Sequence, residues 1–462
     1  MANARIRIAV LGGGPAGLVT ALALERYARG TVDVTLFDRN ATETDYPGVE
    51  YGIQERACRA LHRIGLKDAA LRRGLPNREI VFRVGSTGGG ARVQGRVRTD
   101  PAWCVCVVRQ EFLADLATLL TSTQVRRRTI VERIALGPDR TVQLSVRRPD
   151  DEGCHDDTFD CVVAADGVNS IVRKQLFAPW ATLHDRGFSS LYLLIDGRGH
   201  DALASRFRAL ANEGRSELML GSETTWTFFP LGDDRLAVGV GFPHAVRDRL
   251  WAEQGAGAGQ EWSALSAAQK RAIALRLTDD MADDRMLLRR LFEELVRDWD
   301  SFRIYLWAMR DSDPLPQPYL DESNVVAIGD AAHAFMPTIG MGASLAIEDA
   351  EALAARVARV ASAHPEPDDF RAALRAEAFI PFTRDRVPLW NELMVRARWA
   401  ARANFLHARP RNRFALAPQV PGYLRSRAIG AMEWLVDVGD RIWLMATKPT
   451  RASRPRRGEP QP

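Results

Sequence analysis

Gly12, Gly14 and Gly17 stand in a G-x-G-x-x-G spacing between the apolar run Ile6, Ile8, Val10 and an alanine- and leucine-rich stretch with helical character. In a βαβ unit the first such glycine permits the tight turn. The second lets a pyrophosphate reach the backbone, and the third lets helix and strand pack closely. Pro15 and Ala16 lie in the same turn and belong to the same phosphate cradle. The helix that follows offers unpaired N–H groups and the positive end of its dipole to an anion. A second strand, 32–37, ends on Asp38, with Arg39 behind it. An acid about 20 residues past the last glycine accepts hydrogen bonds from the adenosine ribose hydroxyls. It also disfavours a 2′-phosphate, so FAD or NAD outranks NADP here. The alternative reading is a purely structural glycine turn.

Two further segments repeat the strand–turn–helix grammar. "CVVAADGVNSIVRKQL" places Asp166 and Gly167 after an apolar strand, with Ser170 and Arg173 just beyond. "NVVAIGDAAHAFMPTIGMG" ends a strand on Gly329 and Asp330, then runs through His333, Pro337, Gly340 and Gly342 to Ala343 and a helical stretch. A helix more often opens with a capping Ser, Thr, Asp or Asn than with glycines.

The three motifs in this order resemble the single-component FAD-dependent aromatic hydroxylases of the para-hydroxybenzoate hydroxylase type, the class A flavoprotein monooxygenases. The resemblance covers roughly residues 5–375. It implies that Asp330 binds the ribityl or ribose-phosphate part of FAD, with Gly329 before it. It implies that Asp166 and Gly167 serve FAD and the passing nicotinamide cofactor. Arg109 in "VVRQEFLADL" would contact the flavin chain, although Phe112 stands where the family usually has leucine. Gly340 and Gly342 would let the backbone lie against the isoalloxazine ring, and the next helix would aim its dipole at the N1/C2=O edge. The family's G-Q-G is here Gly340-Met341-Gly342, so Ser344 is the nearest polar side chain. The carbonyl of Pro337 would face the oxygen adduct.

The chemistry so implied is reduction of FAD by NADPH or NADH, formation of a flavin C4a-hydroperoxide with O2, and transfer of OH to an electron-rich aromatic. The apolar C-terminal region favours a bulky, natural-product-like substrate. A single G-x-G-x-x-G argues against a separate nicotinamide domain, so the electron donor would visit transiently. On the substrate side, Glu50 and Tyr51 in "YPGVEYGIQ" are candidates to activate the ring, Glu50 as a base and Tyr51 as a hydrogen-bond partner. Alternation in "TWTFFP" puts Trp226 and Phe228 on one face, as pocket lining or as core. Arg78 is a candidate for an anionic substrate group, and His333 reads as an organiser of its loop. The competing activities are a halogenase, a reductase, an epoxidase and a non-catalytic FAD-binding partner. The halogenase reading rests on a loose "WTFFP" echo and on Lys67.

These motifs need an α/β architecture: a Rossmann-like FAD-binding domain assembled from discontinuous segments, with an inserted β-sheet substrate domain and C-terminal helices. Residues 1–80, 100–185 and 320–375 are expected to form the FAD-binding domain, and 81–99 and 186–319 the substrate-binding domain. Residues 376–450 are expected to be helical, including the amphipathic stretch 428–447, and 451–462 a disordered tail. Gly232-Asp233-Asp234 reads as a hairpin turn between strands. The chain of 462 residues has net charge +5, carried by arginine with only four lysines. That suits anionic small molecules, and no nucleic-acid recognition motif accompanies it. Five cysteines without a C-x-x-C point to free thiols, no metal site and a reducing compartment. A strand already at 6–11 leaves no room for a secretory signal, so the expected location is cytoplasmic. No apolar run is long enough to span a membrane, peripheral contact is disfavoured, and a monomer or homodimer is expected.

Overall fold

A computed structural model describes residues 5–42, 45, 48–84, 92–149, 151, 153–196, 214–221, 223–257, 260–280 and 303–405. Its first layer is a five-stranded parallel sheet in the order Val325–Ala327, Cys161–Ala164, Ile6–Leu11, Val32–Phe37, Gln124–Arg126. The inner strands are almost wholly apolar because helices cover both faces. Ile8 aligns with Cys161 and Val34, and Val162 with Val325. The three strands that carry the motifs are therefore neighbours, and their C-terminal ends lie side by side.

Packing sets the glycines as much as any ligand does. A Cβ on Gly17 would run into the carbonyl oxygen of Gly12, and one on Gly12 into that of Ala165. Gly12 also holds φ 102°, in the left-handed region that favours glycine.

The second layer is a seven-stranded sheet in the order Arg303–Asp311, His184–Asp196, Arg235–Pro243, Thr225–Leu231, Arg215–Leu220, Glu79–Val84, Arg92–Arg98. The hairpin read from the sequence is present, with Asp233 and Asp234 at φ 59° and 57°. Alternation gives this sheet two different faces. Leu191, Trp226, Phe228, Val238 and Val240 form one core, with Leu250 and Trp251 of helix His244–Glu253 and Ile273 of helix Ala267–Leu277. Tyr192, Leu194, Phe229, Ala237 and Tyr305 lie on the other face.

Two short antiparallel strands, Glu50–Ile53 and Val105–Val108, join the layers. Glu50 pairs with Val108 and Gly52 with Cys106, so these four share one face. Val49, Cys106 and Val108 pack with Tyr192 and Phe229 of the large sheet. Tyr51, Ile53, Val105 and Val107 point the other way, into the core of the parallel layer. Arg235 at the hairpin adds an ion pair to Glu111, at 2.5 and 3.1 Å.

Helix Ile380–Phe405 closes the described part of the chain and carries Arg386 and Trp390. Both donate to Asp349, at 2.6 and 3.2 Å, as does His333 Nε2 at 2.6 Å. Burial pushes the Asp349 carboxyl up, but Arg386 and His333 outweigh it and hold it below the usual carboxylate range. Removing one partner of a buried pair strands the other charge without solvent. Asp349→Ala is therefore expected to lower stability by about 3–5 kcal/mol in urea unfolding. All five cysteines are free. Among the described residues no helix is long and apolar enough to cross a membrane. The amphipathic stretch 428–447 and the tail 451–462 lie outside the described residues.

Candidate active site

The cradle starts at the C-terminal end of strand Ile6–Leu11. Gly14 is the extended N-cap of helix Pro15–Tyr27, makes no side-chain cap, and has nothing within 4 Å of its missing Cβ. With Pro15 at the first helical position and Ala16 buried, the helix end presents backbone and no side chain. Asp38 is buried at the end of the next strand. Its Oδ1 accepts from the backbone N–H of Asn40, and Arg127 lies 3.7 Å from Oδ2, a neighbour the sequence did not suggest. Arg39 is exposed.

The second motif caps its own helix. Asp166 Oδ2 accepts from the N–H of Ile171 at 2.7 Å, and Gly167 makes the turn at φ 76°. Asp166 Oδ1 is buried with no hydrogen-bond partner, and burial raises the carboxyl above its usual range. Arg173 has a role that sequence reasoning missed. Its buried guanidinium donates to the carbonyls of Ala331 and Ala332 at 3.2 and 2.9 Å, and to that of Asp313 at 2.5 Å. It thereby ties the second motif to the third. Burial lowers it to about 10. The sequence signal was an arginine inside an otherwise apolar helix start.

In the third motif, Gly329 adopts φ 56°, and its missing Cβ would touch Ala16 and Ala346. This pins strand end, first helix and helix Gly342–Ala363 together. Asp330 follows with its side chain open to solvent. Desolvation by the surrounding protein nonetheless raises its carboxyl, against the pull of His333 and Arg109. A carboxylate both accessible and desolvated lines a concave surface. His333 is fully buried and bonds Asp349, consistent with a loop organiser. Pro337 is exposed and opens the short turn Pro337–Ile339, Gly340 is left-handed, and helix Gly342–Ala363 begins without a side-chain cap. Gly342 has open space beside it, and Ala343 is half-buried. Ser344 turns away from this loop: its buried hydroxyl donates to Gly52 O and accepts from the N–H of Gln54, at 3.1 and 3.0 Å. The Gln54 side-chain amide donates to Gly340 O at 3.2 Å. The loop that lacks its own glutamine is thus held by one from another segment.

Arg109 begins helix Arg109–Thr118, packs across Gly48, and sets its guanidinium 5.0 Å from the Tyr51 ring centroid. Its Nε is buried without a partner. Tyr51 also meets Phe112 edge-on, which accounts for an aromatic where leucine was expected. Glu50 and Tyr51 do not act on one side, because adjacent strand residues point to opposite faces. Tyr51 belongs with Arg109 and Asp330 on the parallel layer, whereas Glu50 faces the large sheet. Desolvation pushes Glu50 up to about 7, opposed by its backbone hydrogen bond and by Arg109.

Three substrate-side expectations are corrected. Trp226 and Phe228 are 0% and 3% exposed, stacked at 6.3 Å beneath the two helices, on the far face of the sheet. Core packing claims them both. Arg78 lies between strands with an exposed side chain, and no hydrogen bond or ion pair joins it to the groups above among the described residues. The face that Glu50 meets instead carries Tyr192, Tyr305 and Trp307, all half-buried. Tyr305 stacks on Trp307 at 5.6 Å, and Tyr192 tilts against Trp307 at 5.4 Å. The two-residue spacing of Tyr305 and Trp307 along strand Arg303–Asp311 was visible in "RIYLWAMRD", but which face of the sheet turns toward Glu50 was not.

Buried polar atoms without partners on Arg109 and Asp166, the bare helix starts at Gly14 and Gly342, and the accessible Asp330 together fit an elongated ligand with phosphates and sugar hydroxyls. The FAD binding domain family matches residues 5–204 and 281–369, and the chain belongs to it. The chain is similar to kynurenine 3-monooxygenase of Salinispora tropica, 26% identical over 81% of this chain and 77% of that protein. It is also similar to 3-amino-4-hydroxybenzoate 2-monooxygenase of Streptomyces cremeus, 26% identical over 76% of this chain and 79% of that one. The fold matches that of Klebsiella pneumoniae HpxO complexed with FAD and uric acid, at TM-score 0.65 and 18% identity over 95% and 94% of the two chains. The chain is thus a FAD-dependent oxidoreductase of the flavoprotein monooxygenase class.

Proposed function

We propose that this protein hydroxylates an electron-rich aromatic substrate, using FAD, O2 and NADPH or NADH as transient electron donor, in the cytoplasm and as a monomer or homodimer. The observation that carries the reading is the position of Glu50. It stands on a strand whose other face belongs to the cofactor cradle, and it looks across at Tyr192, Tyr305 and Trp307. Bound FAD supplies the activation of oxygen. Gly12, Gly14, Pro15, Ala16 and Gly17 hold the pyrophosphate, and Asp38 with Arg39 the adenosine end. Arg109, Asp166, Gly167, Gly329 and Asp330 hold the flavin chain, and the backbone of Pro337, Gly340, Gly342 and Ala343 meets the ring. Tyr51 supports the cofactor side through Arg109. Glu50 accepts the proton of a phenol or aniline, which raises the electron density of the substrate ring at the moment of attack.

The lysine needed for a halogenase is otherwise engaged: the Lys67 ammonium lies 4.4 Å from the Trp103 ring centroid and 4.0 Å from Asp68. Incubation with reduced nicotinamide, candidate phenols and oxygen-18 gas tests the reading. One labelled oxygen in the product is expected, with no brominated product when bromide is present. Nicotinamide oxidation that leaves every aromatic unchanged would assign the protein to the reductases.

A further inference from the structure

The loop assigned above to the flavin ring is anchored by a part of the chain that lies beyond the FAD binding domain match, which ends at residue 369. The start of the loop is zipped to the segment that follows strand Arg303–Asp311. The N–H of Leu315 donates to Ala332 O at 2.9 Å and that of Ser312 to Ala334 O at 3.1 Å, while the N–H of Ala334 donates to Ser312 Oγ at 3.2 Å. Helix Ile380–Phe405 takes the next residues. Met336 packs with Ala401, and the Thr338 hydroxyl donates to Ala397 O at 2.8 Å. Ala397 and Ala401 stand four residues apart, so a single face of the helix addresses the loop. Both are buried, and their small side chains let the loop approach the helix backbone. A carbonyl has two lone pairs, so Ala397 O accepts from Thr338 without giving up its place in the helix ladder. That face is fixed in turn. Arg398, the neighbour of Ala397, bonds both carboxylate oxygens of buried Asp311 at 3.0 Å and Asp313 at 2.7 Å. Earlier in the helix, Arg386 and Trp390 hold Asp349.

We infer that helix Ile380–Phe405 is a strut of the cofactor site, and that Thr338 is the positioning residue through which it holds the turn Pro337–Ile339 in the shape that receives the flavin ring. The inference rests on the reading above that the backbone of this loop meets the ring, and it names what sets that backbone. A turn already held needs no ordering when the cofactor binds, whereas a loose one is ordered at the expense of affinity. The Thr338 hydroxyl therefore acts on FAD binding without touching FAD.

Titration of the flavin-free full-length protein with FAD, read from the quenching of flavin fluorescence, tests this. Valine keeps the shape of threonine and removes the hydroxyl, and Thr338→Val is expected to raise the FAD dissociation constant by about 3- to 10-fold, the worth of one neutral hydrogen bond. Thr338→Ser keeps the hydroxyl and is expected to stay within about twofold of the parent. Thermal melts of the flavin-free variants certify that they fold. A role in the fold alone would lower the melt of Thr338→Val and leave its FAD affinity unchanged, and that result would overturn the inference. Equal weakening by valine and serine would overturn it as well, since the hydroxyl would then not be the holding group. Gly342→Leu separates this inference from the reading it rests on. No described residue lies within 4 Å of a Cβ added there, and leucine suits a helix better than glycine, so the flavin-free melt should not fall. With the ring against the loop, that side chain should weaken FAD by more than about tenfold. Loss of affinity in Gly342→Leu but not in Thr338→Val would leave the ring on the loop and remove the strut. Unchanged affinity in Gly342→Leu would move the ring off this loop and overturn both.

Discussion

Asp330→Ala is expected to yield folded protein that purifies with little flavin. The reason lies in how the residue is placed. It ends a buried strand, yet its carboxylate is open to solvent and makes no side-chain hydrogen bond to any described residue. A carboxylate whose desolvation outweighs the pull of His333 and Arg109, and which has no hydrogen-bond partner among the described residues, adds little to the apo fold, so its removal should leave stability nearly intact. With FAD bound, a carboxylate at this position accepts from sugar hydroxyls, and a hydrogen bond to a charged group is worth about 1.5–3 kcal/mol. One such bond lost weakens binding by roughly 10- to 150-fold. The check is the ratio of 450 nm to 280 nm absorbance after purification, together with a thermal melt of flavin-free protein. A variant that stays fully yellow would remove Asp330 from the cofactor site. Gly329 provides the contrast. Its alanine variant would crowd Ala16 and Ala346 and strain a left-handed backbone, so it should lose flavin and stability together.

The backbone of the cofactor-side motifs was legible in the sequence because its signals are local. Each motif is a strand, a turn and a helix within one short segment, and the turn residues answer to backbone geometry that sequence encodes directly: Gly12, Gly167, Gly329 and Gly340 all adopt positive φ. The parallel order of the three motif strands follows from the same grammar. The substrate half was not legible because its signals are relational. Alternation correctly grouped Trp226 with Phe228, but periodicity does not say which face of a sheet meets helices and which meets a cleft. That choice depends on helices His244–Glu253 and Ala267–Leu277 folding back over one side. The same limit affected Glu50 and Tyr51. Read as neighbours they looked like one pair, whereas a strand sends them to opposite layers. Arg173 and Gln54 were missed for a similar reason: their partners, Ala331, Ala332 and Gly340, lie far away in sequence.

That separation of Glu50 from Tyr51 makes the second large effect a specific one. Glu50→Gln is expected to slow hydroxylation by about 10²–10⁴-fold, the range of a lost general base, while flavin content stays normal. With the carboxyl near 7 in the folded protein, the base is ionised only above that point. Hydroxylation should therefore rise with pH through about 7 and level off, and the variant should lose this limb. Stability should move the opposite way. The folded state holds the Glu50 proton between its ordinary 4.5 and about 7, where the unfolded chain has released it, so stability falls as pH rises through that window. Glutamine removes this penalty. The variant should melt higher than the parent at about pH 8 and alike below the window. Tyr51→Phe supplies the control, since that ring packs on Phe112 beneath Arg109. It should change the flavin spectrum or affinity and leave the limb near 7 in place. If instead Tyr51→Phe abolished the limb while Glu50→Gln kept it, the proton would leave toward the cofactor layer, and Glu50 would be only a wall of the cleft.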